Sequence, residues 1–222
     1  MLDTSNNAIL VSIAVNQQIC FTGVEMSKQS RKFKVPDELA NLYDFANSLD
    51  VRRFTHHGVP HVEGDELGGP RELGAWMSQR GLLFTSAKIT SAMFEMALQL
   101  RASVRCYLEF DPVERRKNQD AVRSLNKAMH LFPLVAEARN DGALALRPAR
   151  EDALAGLSVV VAELYDGSVR RTLDRLKMCA AEECRRVFFD RSKPATRRWC
   201  MSTLCGNRTK TRAYRERQRE AG

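Results

Sequence analysis

Four cysteines near the C-terminus combine a metal-binding residue type with a metal-binding spacing. Cys179 and Cys184 are separated by four residues, as are Cys200 and Cys205, and fifteen residues lie between the two pairs. Two short-spaced thiolate pairs let two turns of the chain supply the four tetrahedral ligands that Zn²⁺ takes in structural sites. Because four thiolates leave no coordination position for water or substrate, we expect one structural zinc ion and no catalysis at it.

The segment that follows the last cysteine could bind a polyanion. It contains no helix breaker, which predicts a helix, and its arginines at relative positions i, i+4, i+7 and i+11 would lie on one face. Phosphates would order such a helix because it has too few apolar residues to be held by burial; a solvated C-terminal tail is the alternative. The expected nucleic-acid contacts are Arg208, Lys210, Arg212, Arg215, Arg217 and Arg219.

The distribution of charge favours the same class of partner. The whole chain carries a formal net charge of +8. Residues 170–222 contain sixteen Lys and Arg against six Asp and Glu, a net charge of +10, so residues 1–169 carry −2. A near-neutral body with a basic C-terminal segment is typical of a protein that binds nucleic acid, and we expect DNA as the partner.

A second group of potential metal ligands lies in the polar, glycine-rich stretch from Val51 to Gly69. His56, His57 and His61 precede three carboxylates there, and imidazole with carboxylate could hold a metal that keeps a position open for catalysis. The helical His-Glu-x-x-His spacing is absent, and the glycines favour a loop. A solvated loop is therefore the preferred interpretation and a metal-dependent enzyme the less favoured one, so we expect no enzymatic activity.

The elements that would position these groups are mostly helices. Pro36, followed by Asp37 and Glu38, begins the first of them. That helix places Asp44 and Asn47 on one face. These two polar side chains either line a pocket for a small ligand or form a satisfied buried pair, and both interpretations remain open.

Capping residues and apolar spacing predict further elements. A hairpin is predicted around Asn140-Asp141-Gly142, where glycine supplies the positive φ of the turn. The predicted helices run from Pro70 to Gly81, from a cap at Thr85 or Ser86 to Leu108, from Asp111 to about His130, and from Pro148 toward Lys177. Short strands are predicted at residues 8–15, 19–24, 186–190 and 196–200, the last two pairing with each other between the cysteine pairs.

These elements predict a mainly α protein with a β-hairpin (α+β): a helical N-terminal domain followed by a small treble-clef-like zinc finger. We expect an N-terminal extension over residues 1–35, a domain over 36–170, and the finger with its basic C-terminal helix over 171–222. No stretch is long and apolar enough for a membrane span, and the start of the chain lacks the basic residues of a signal peptide. A cytoplasmic protein without membrane contact is the expectation.

Several motifs resemble those of known families. Cys205-Gly206-Asn207-Arg208 is the signature tetrapeptide of the CGNR zinc fingers, and residues 186–190 and 197–200 resemble the middle of that finger. Residues 42–49 resemble the opening motif of the ABATE domain, which usually precedes it. The resemblance implies a stress-related transcriptional regulator, in which the finger binds DNA and an ABATE domain over 36–170 senses a small ligand.

Two expectations concern the partners of the protein. The main alternative to DNA binding is an interaction adaptor whose finger docks an acidic protein. One DNA-binding module buries only roughly 600–1,000 Å². Useful sequence specificity is therefore expected to need a homodimer or another partner.

Overall fold

The computed structural model describes residues 28–56, 58–138 and 140–220. Within them the chain is mainly helical with small antiparallel strand pairs, which confirms the predicted fold class. The helices are α1 (Lys28–Phe33), α2 (Ala40–Asn47), α3 (Pro70–Gln79), α4 (Ser91–Glu109), α5 (Pro112–Lys117), α6 (Gln119–Met129), α7 (Ser158–Val169) and α8 (Asn207–Glu220). No helix in this part of the chain has both the length and the apolar character needed to cross a membrane.

The strands form four separate antiparallel pairs among the described residues. β1 (Leu49–Asp50) pairs with β4 (Gly64–Asp65), and β2 (Thr55–His56) pairs with β3 (Val59–Pro60). β5 (Leu134–Ala138) pairs with β6 (Leu144–Pro148), and β7 (Leu176–Met178) pairs with β8 (Val187–Phe189). The first two pairs shape the loop between α2 and α3, and the last pair belongs to the cysteine-rich segment.

The core forms where α2 packs against α4 and α7, with α3 and α6 also packed on α4. The apolar residues of α4 recur at helical spacing and bury one stripe of that helix; its fully buried members are Ala97, Leu100, Val104 and Leu108. Leu173, Leu176, Met178 and Val187 belong to the same continuous core. The core therefore continues across residue 170, where the sequence predicts a domain boundary.

A buried carboxylate from α7 fixes the start of α2. Glu163 is 1% exposed and accepts hydrogen bonds from the backbone N–H groups of Asn41 (3.3 Å) and Leu42 (2.7 Å) and from the Asn41 side chain (2.7 Å). It thus pairs N–H groups that a helix start leaves without a partner. Burial raises the pKa of Glu163 to about 8, and the three hydrogen bonds only partly oppose this rise.

Three predicted helices have different bounds in the structure. The first, predicted from Pro36, is a 3-10 turn at Asp37–Leu39 followed by α2 from Ala40. The helix predicted from Thr85 or Ser86 begins at Ser91, because Thr90 is the residue whose hydroxyl accepts a hydrogen bond from the third helical N–H. The helix predicted from Asp111 to His130 is two helices, α5 and α6. Asn118 is extended and caps α6 by accepting from Ala121 N–H at 3.0 Å, which separates the two.

The helix predicted from Pro148 toward Lys177 is wrong over most of its length. Pro148 ends β6, and α7 covers only Ser158–Val169. Gly167 does not break α7: it lies inside the helix at a close approach, where an added Cβ would lie 2.6 Å from a Leu39 methyl carbon. The chain then turns and forms β7, because its alternating residues Leu176 and Met178 are buried.

The hairpin predicted around Asn140-Asp141-Gly142 is confirmed. β5 and β6 pair from Leu134 opposite Pro148 to Ala138 opposite Leu144, and Gly142 has a φ of +79°. The strands predicted at residues 8–15 and 19–24, with most of the predicted N-terminal extension, lie outside the described residues.

Candidate metal centre and nucleic-acid interface

The four thiols of the cysteine-rich segment converge on one point. Their sulfur atoms all lie within 4.8 Å of one another, with 3.6 Å between Cys184 and Cys200 and 3.7 Å between Cys200 and Cys205. Metal–sulfur bonds of about 2.3 Å in a tetrahedron give an edge of about 3.8 Å, whereas a disulfide needs about 2.05 Å. With Cys179, the group therefore fits one tetrahedral metal ion rather than two disulfides.

The four sulfurs cannot all carry a negative charge by themselves. Contact with Cys184 lowers the pKa of Cys179, and contact with Cys179 raises the pKa of Cys184. Contact with the same two cysteines raises the pKa of Cys200, and burial raises that of Cys205. A divalent cation would supply the positive charge that lets four thiolates share one site.

The helical body holds the turn that carries the first cysteine pair. Arg185, directly after Cys184, has a φ of +49°, a region that costs an L-residue roughly 1 kcal/mol or more. Its carbonyl accepts a hydrogen bond from Arg105 of α4 (3.1 Å), and its side chain pairs with Glu109. Arg105 also donates to the carbonyl of Ala46 at 2.6 Å. The left-handed turn is thus stabilised by residues far away in sequence.

The strand pair predicted between the two cysteine pairs is wrong. β8 pairs with β7, which precedes the first cysteine, and residues 196–200 form no strand. The buried carboxylate of Asp190 holds this segment instead, since it accepts hydrogen bonds from the Arg197 N–H (2.8 Å) and Lys177 Nζ (3.0 Å). Burial alone would raise the pKa of Asp190, but hydrogen bonds from Ser192 and Lys177 lower it to about 2.

Asn47 joins the helical body to the cysteine-rich segment. Its Oδ1 accepts from the Val187 N–H (3.0 Å), and its Nδ2 donates to the carbonyls of Val187 (3.0 Å) and Tyr43 (3.1 Å). Asp44 is 5% exposed, and its Oδ2 lies 3.9 Å from Arg80 Nε. Of the two interpretations from sequence, the geometry favours the satisfied structural pair, and ligand binding by Asp44 and Asn47 stays a prediction.

A cavity of about 320 Å³ lies between the body and the cysteine-rich segment. Asn47, Asp50 and Arg52 line it from the body side, and Cys184 and Arg186 line it from the other side. Arg52 is paired with Asp50 through two side-chain hydrogen bonds. A molecule bound here would contact both parts of the protein at once.

The histidine-containing loop packs on the cysteine-rich segment. Phe54 contacts the apolar surroundings of the four cysteines. His61 stacks on the Phe54 ring at 5.5 Å between centroids, and its Nε2 lies 2.9 Å from Asp50 Oδ2. In the described ranges, only the four cysteines assemble as a metal-ligand group. His57 and the side chain of His56 lie outside those ranges, so the less favoured interpretation, a second metal site in this loop, stays a hypothesis.

The helix predicted after the last cysteine is confirmed as α8. Cys205 lies in a wide turn, Ser202–Gly206, that leads directly into this helix. The Cys205 carbonyl accepts a hydrogen bond from the Thr209 hydroxyl at 2.9 Å. The fourth cysteine and the first turn of α8 are therefore held together.

Two arginines of α8 bind other parts of the protein. The guanidinium carbon of Arg208 lies 4.2 Å from the centre of the Phe54 ring, and its Nη2 donates to the Thr55 carbonyl at 2.6 Å. Arg212 pairs with the carboxylate of Glu183 at 3.2 Å. These contacts explain how a helix without a buried residue stays in place at its N-terminal end.

The remaining four cations of α8 are exposed and form no ion pair or hydrogen bond with the rest of the described chain. They are Lys210, Arg215, Arg217 and Arg219. Arg215 and Arg219 continue the face that Arg208 begins, and the other two lie on the opposite side. The outer turns of α8 therefore present positive charge in two directions.

Sequence reasoning missed several residues that hold the body together or join it to the cysteine-rich segment. Arg101 and Arg105 interrupt the apolar stripe of α4, a pattern that indicates buried guanidinium groups; Arg101 makes two hydrogen bonds to Asp65, at 2.6 and 2.7 Å. Phe54 is a lone aromatic residue in a polar loop, which could have marked it as a contact. Glu163 left no such signal, because its partners lie 121 and 122 residues away.

Two family models match this chain, one over the cysteine-rich segment and one mainly over the helical body. A model described as the CGNR zinc finger matches residues 175–218. The ABATE model, described as "Putative stress-induced transcription regulator", matches residues 41–182. No curated protein matches the chain. Because the second match spans more than half of the sequence, this chain belongs to the ABATE family, with a CGNR zinc finger at its C-terminal end.

Proposed function

We propose that this protein is a zinc-dependent, DNA-binding transcriptional regulator. Cys179, Cys184, Cys200 and Cys205 hold one structural Zn²⁺ ion, and the free cations of α8 contact DNA phosphates. The family description supports a regulatory role. The DNA-binding part of the proposal rests on one observation: four cations on α8 form no ion pair or hydrogen bond within the described chain.

Zinc is the ion that the donor set favours. Four thiolates in a tetrahedron are typical of structural zinc sites, and the sulfur separations of 3.6 and 3.7 Å lie close to the edge of such a tetrahedron. The ion would fasten the turn after Cys179 to the start of α8. Its role is to hold the finger together, since no coordination position is left for a substrate.

Phosphate contact explains the unusual composition of α8. The helix contains Arg and Lys at six positions and buries no side chain, so its outer half gains little from packing. Charge-assisted hydrogen bonds to phosphates, and the release of counterions from DNA, would stabilise it in the complex. The pairs made by Arg208 and Arg212 leave Lys210, Arg215, Arg217 and Arg219 as the proposed contacts.

The test is a binding titration of zinc-loaded protein against a labelled DNA duplex across a series of salt concentrations. Four phosphate contacts predict a slope of log K against log salt of about −3.6, or roughly a hundredfold loss of affinity between 50 and 200 mM salt. Arg215→Ala with Arg219→Ala should bring the slope to about −1.8.

A matched control removes the same charge elsewhere. Arg123 and Lys127 are exposed on α6, so Arg123→Ala with Lys127→Ala should keep the wild-type slope. An unchanged slope in the α8 variant contradicts the assignment of the contacts. Absence of binding at low salt contradicts DNA binding altogether and favours the adaptor that docks an acidic protein.

A second role, ligand sensing, has one observation in its favour. The cavity of about 320 Å³ is shared by the body and the finger, so a small ligand there would change how firmly one is held on the other. Native mass spectrometry of the purified protein should reveal a small molecule that is released on denaturation. Protein that carries no such molecule, and whose DNA affinity a metabolite extract does not change, would contradict this role.

Sequence-specific regulation also requires more contact than one finger offers. We expect a second copy of the chain on a specific DNA site, because a single module buries only roughly 600–1,000 Å². The stoichiometry of the complex, measured by light scattering on a selected duplex, should be two chains per duplex. One chain per duplex at full site specificity would contradict this part of the proposal.

A further inference from the structure

Arg208, the last residue of the CGNR tetrapeptide, faces the body of the protein and not the solvent. The central carbon of its guanidinium lies 4.2 Å from the centre of the Phe54 ring, and its Nη2 donates to the Thr55 carbonyl at 2.6 Å. Its Nη1 is buried without a hydrogen-bond partner within the described chain. A phosphate could reach this side chain only if these contacts were broken.

Phe54 is itself held in place from its own loop. Its ring stacks on His61 with an interplanar angle of 27°, and the Nε2 of His61 lies 2.9 Å from Asp50 Oδ2. Asp50 is fixed in turn by three hydrogen bonds from Arg52, one from its backbone N–H and two from its side chain. The platform under Arg208 is therefore an ordered stack that belongs to the body.

Glu183 connects the same loop to the second turn of α8. Its backbone carbonyl accepts a hydrogen bond from Arg53 N–H at 2.8 Å, and its carboxylate pairs with Arg212 at 3.2 Å. The first two turns of α8 are thus attached to the body loop and to the turn of the first cysteine pair. From Lys210 onward, the free cations depend on this attachment for their direction.

We propose that Arg208 and Phe54 are positioning residues: they fix the direction in which α8 leaves the finger, and so set the DNA affinity of its free cations, without touching DNA. This inference rests on the proposed DNA binding for its functional consequence. Its structural part, the attachment of α8 to the body loop, is independent of DNA.

Two substitutions test the proposal without changing the charge of the protein. Phe54→Leu keeps an apolar side chain but removes the aromatic face, and Arg208→Lys keeps the cation but loses the planar stacking group. Each should weaken DNA binding about fivefold while the slope of log K against log salt stays at the wild-type value. Val59→Ala, on the same loop and 68% exposed in the wild type, is the control and should change nothing.

Amide hydrogen exchange supplies a readout that does not need DNA. Both variants should exchange faster than wild type at residues 211–215, while the amides of α4 keep their protection. If wild-type protein does not bind DNA, this measurement still tests the attachment of α8. Failure of the DNA-binding proposal can therefore be distinguished from failure of the attachment.

Three results would overturn the inference. One is wild-type exchange and wild-type affinity in Arg208→Lys, which would show that the stack does not position α8. Another is a fall of about 0.9 in the size of the salt slope in Arg208→Ala with no such fall in Arg208→Lys, which would make Arg208 a phosphate contact. The third is faster exchange with unchanged DNA affinity. Zinc content measured on each variant checks that the finger is folded. If Phe54→Leu loses its metal, Arg208→Lys alone is used for the test.

Discussion

Arg115 and Arg217 illustrate how one residue type serves two purposes in this protein. Arg115 is 1% exposed, and its guanidinium donates to the carbonyls of Phe110 (3.1 Å) and Leu176 (3.0 Å), which ties α5 to the strand before the first cysteine. Arg217 is exposed on α8. Composition alone counts both as positive charge, but only the second kind is free to contact a polyanion such as the proposed DNA.

At the same scale, the four cysteines could be identified from sequence because their spacing is local. Two thiols five positions apart can meet in one turn, whatever the rest of the fold does. The role of Arg208 could not be identified in this way. Its partner Thr55 is 153 residues away, and no spacing within the finger indicates which of the arginines would meet it.

Glu163 gives a prediction about pH. Its pKa is raised by burial to about 8 from an ordinary value of 4.5, so between these values the folded protein binds one proton that the unfolded chain does not. The free energy of unfolding should therefore fall as pH rises from 6 to 8, by up to about 1.4 kcal/mol per pH unit from this residue. Urea unfolding at several pH values measures it.

Glu163→Gln is the matched variant for this measurement. It should lose this part of the pH dependence, and at pH 6 it should be less stable by about 1–3 kcal/mol, because its amide nitrogen cannot accept a hydrogen bond from the start of α2. Parallel pH profiles for the wild type and the variant would contradict the raised pKa.

At the scale of elements, the sequence was informative where the cause of an element is local. Pro70 at the start of α3 and glycine in the hairpin turn act on their immediate neighbours, and both elements are confirmed. The missed starts of α4 and α6 have local causes, the caps at Thr90 and Asn118, whereas the wrong strand pair has a non-local cause. Residues 196–200 were predicted to pair with β8, but β7 takes that place because Leu176 and Met178 complete the core of the body.

Only the first two turns of α8 are attached to the rest of the protein. We therefore expect that its outer turns can be removed without unfolding the finger. Truncation after Ala213 removes exposed residues and keeps both Arg208 and Arg212 with their partners. We expect the truncated protein to bind zinc and to unfold with a free energy within about 0.5 kcal/mol of the full chain. Its DNA affinity should fall, with a salt slope near −0.9 from Lys210 alone.

Zinc content, urea unfolding and DNA titration of the truncated protein check this prediction. Loss of zinc or of stability on truncation would mean that the outer turns of α8 have a structural role. Undiminished DNA affinity would place the DNA contacts elsewhere on the molecule.

At the scale of the whole molecule, the hydrophobic core of the body extends into the finger, which also has a smaller apolar cluster around its cysteines. Leu173, Leu176, Met178 and Val187 lie within the body's core, and Asn47 and Arg105 hold the finger through its backbone. The division into residues 36–170 and 171–222 stays a prediction about function. The sequence could not show whether the two parts pack against each other. Apolar residues in a strand of the finger give the same pattern whether they face the finger or the body.

Shared packing predicts that metal removal destabilises the body. Trp199 and Trp76 are the two tryptophans of the chain, and Trp76 is 3% exposed in the body. In a Trp199→Phe variant, Trp76 fluorescence reports the unfolding of the body alone. A zinc chelator should lower the urea midpoint of this signal, whereas two independent domains would leave it unchanged.

The most direct test of the account concerns the side chains of α8 in the presence of DNA. In the ¹⁵Nε NMR spectrum of the zinc-loaded protein, addition of a DNA duplex should shift the resonances of Arg215, Arg217 and Arg219. Arg208, held on Phe54 by the protein itself, should keep its resonance. If the three outer arginines do not respond to DNA, or if Arg208 responds as strongly as they do, the proposed interface is contradicted.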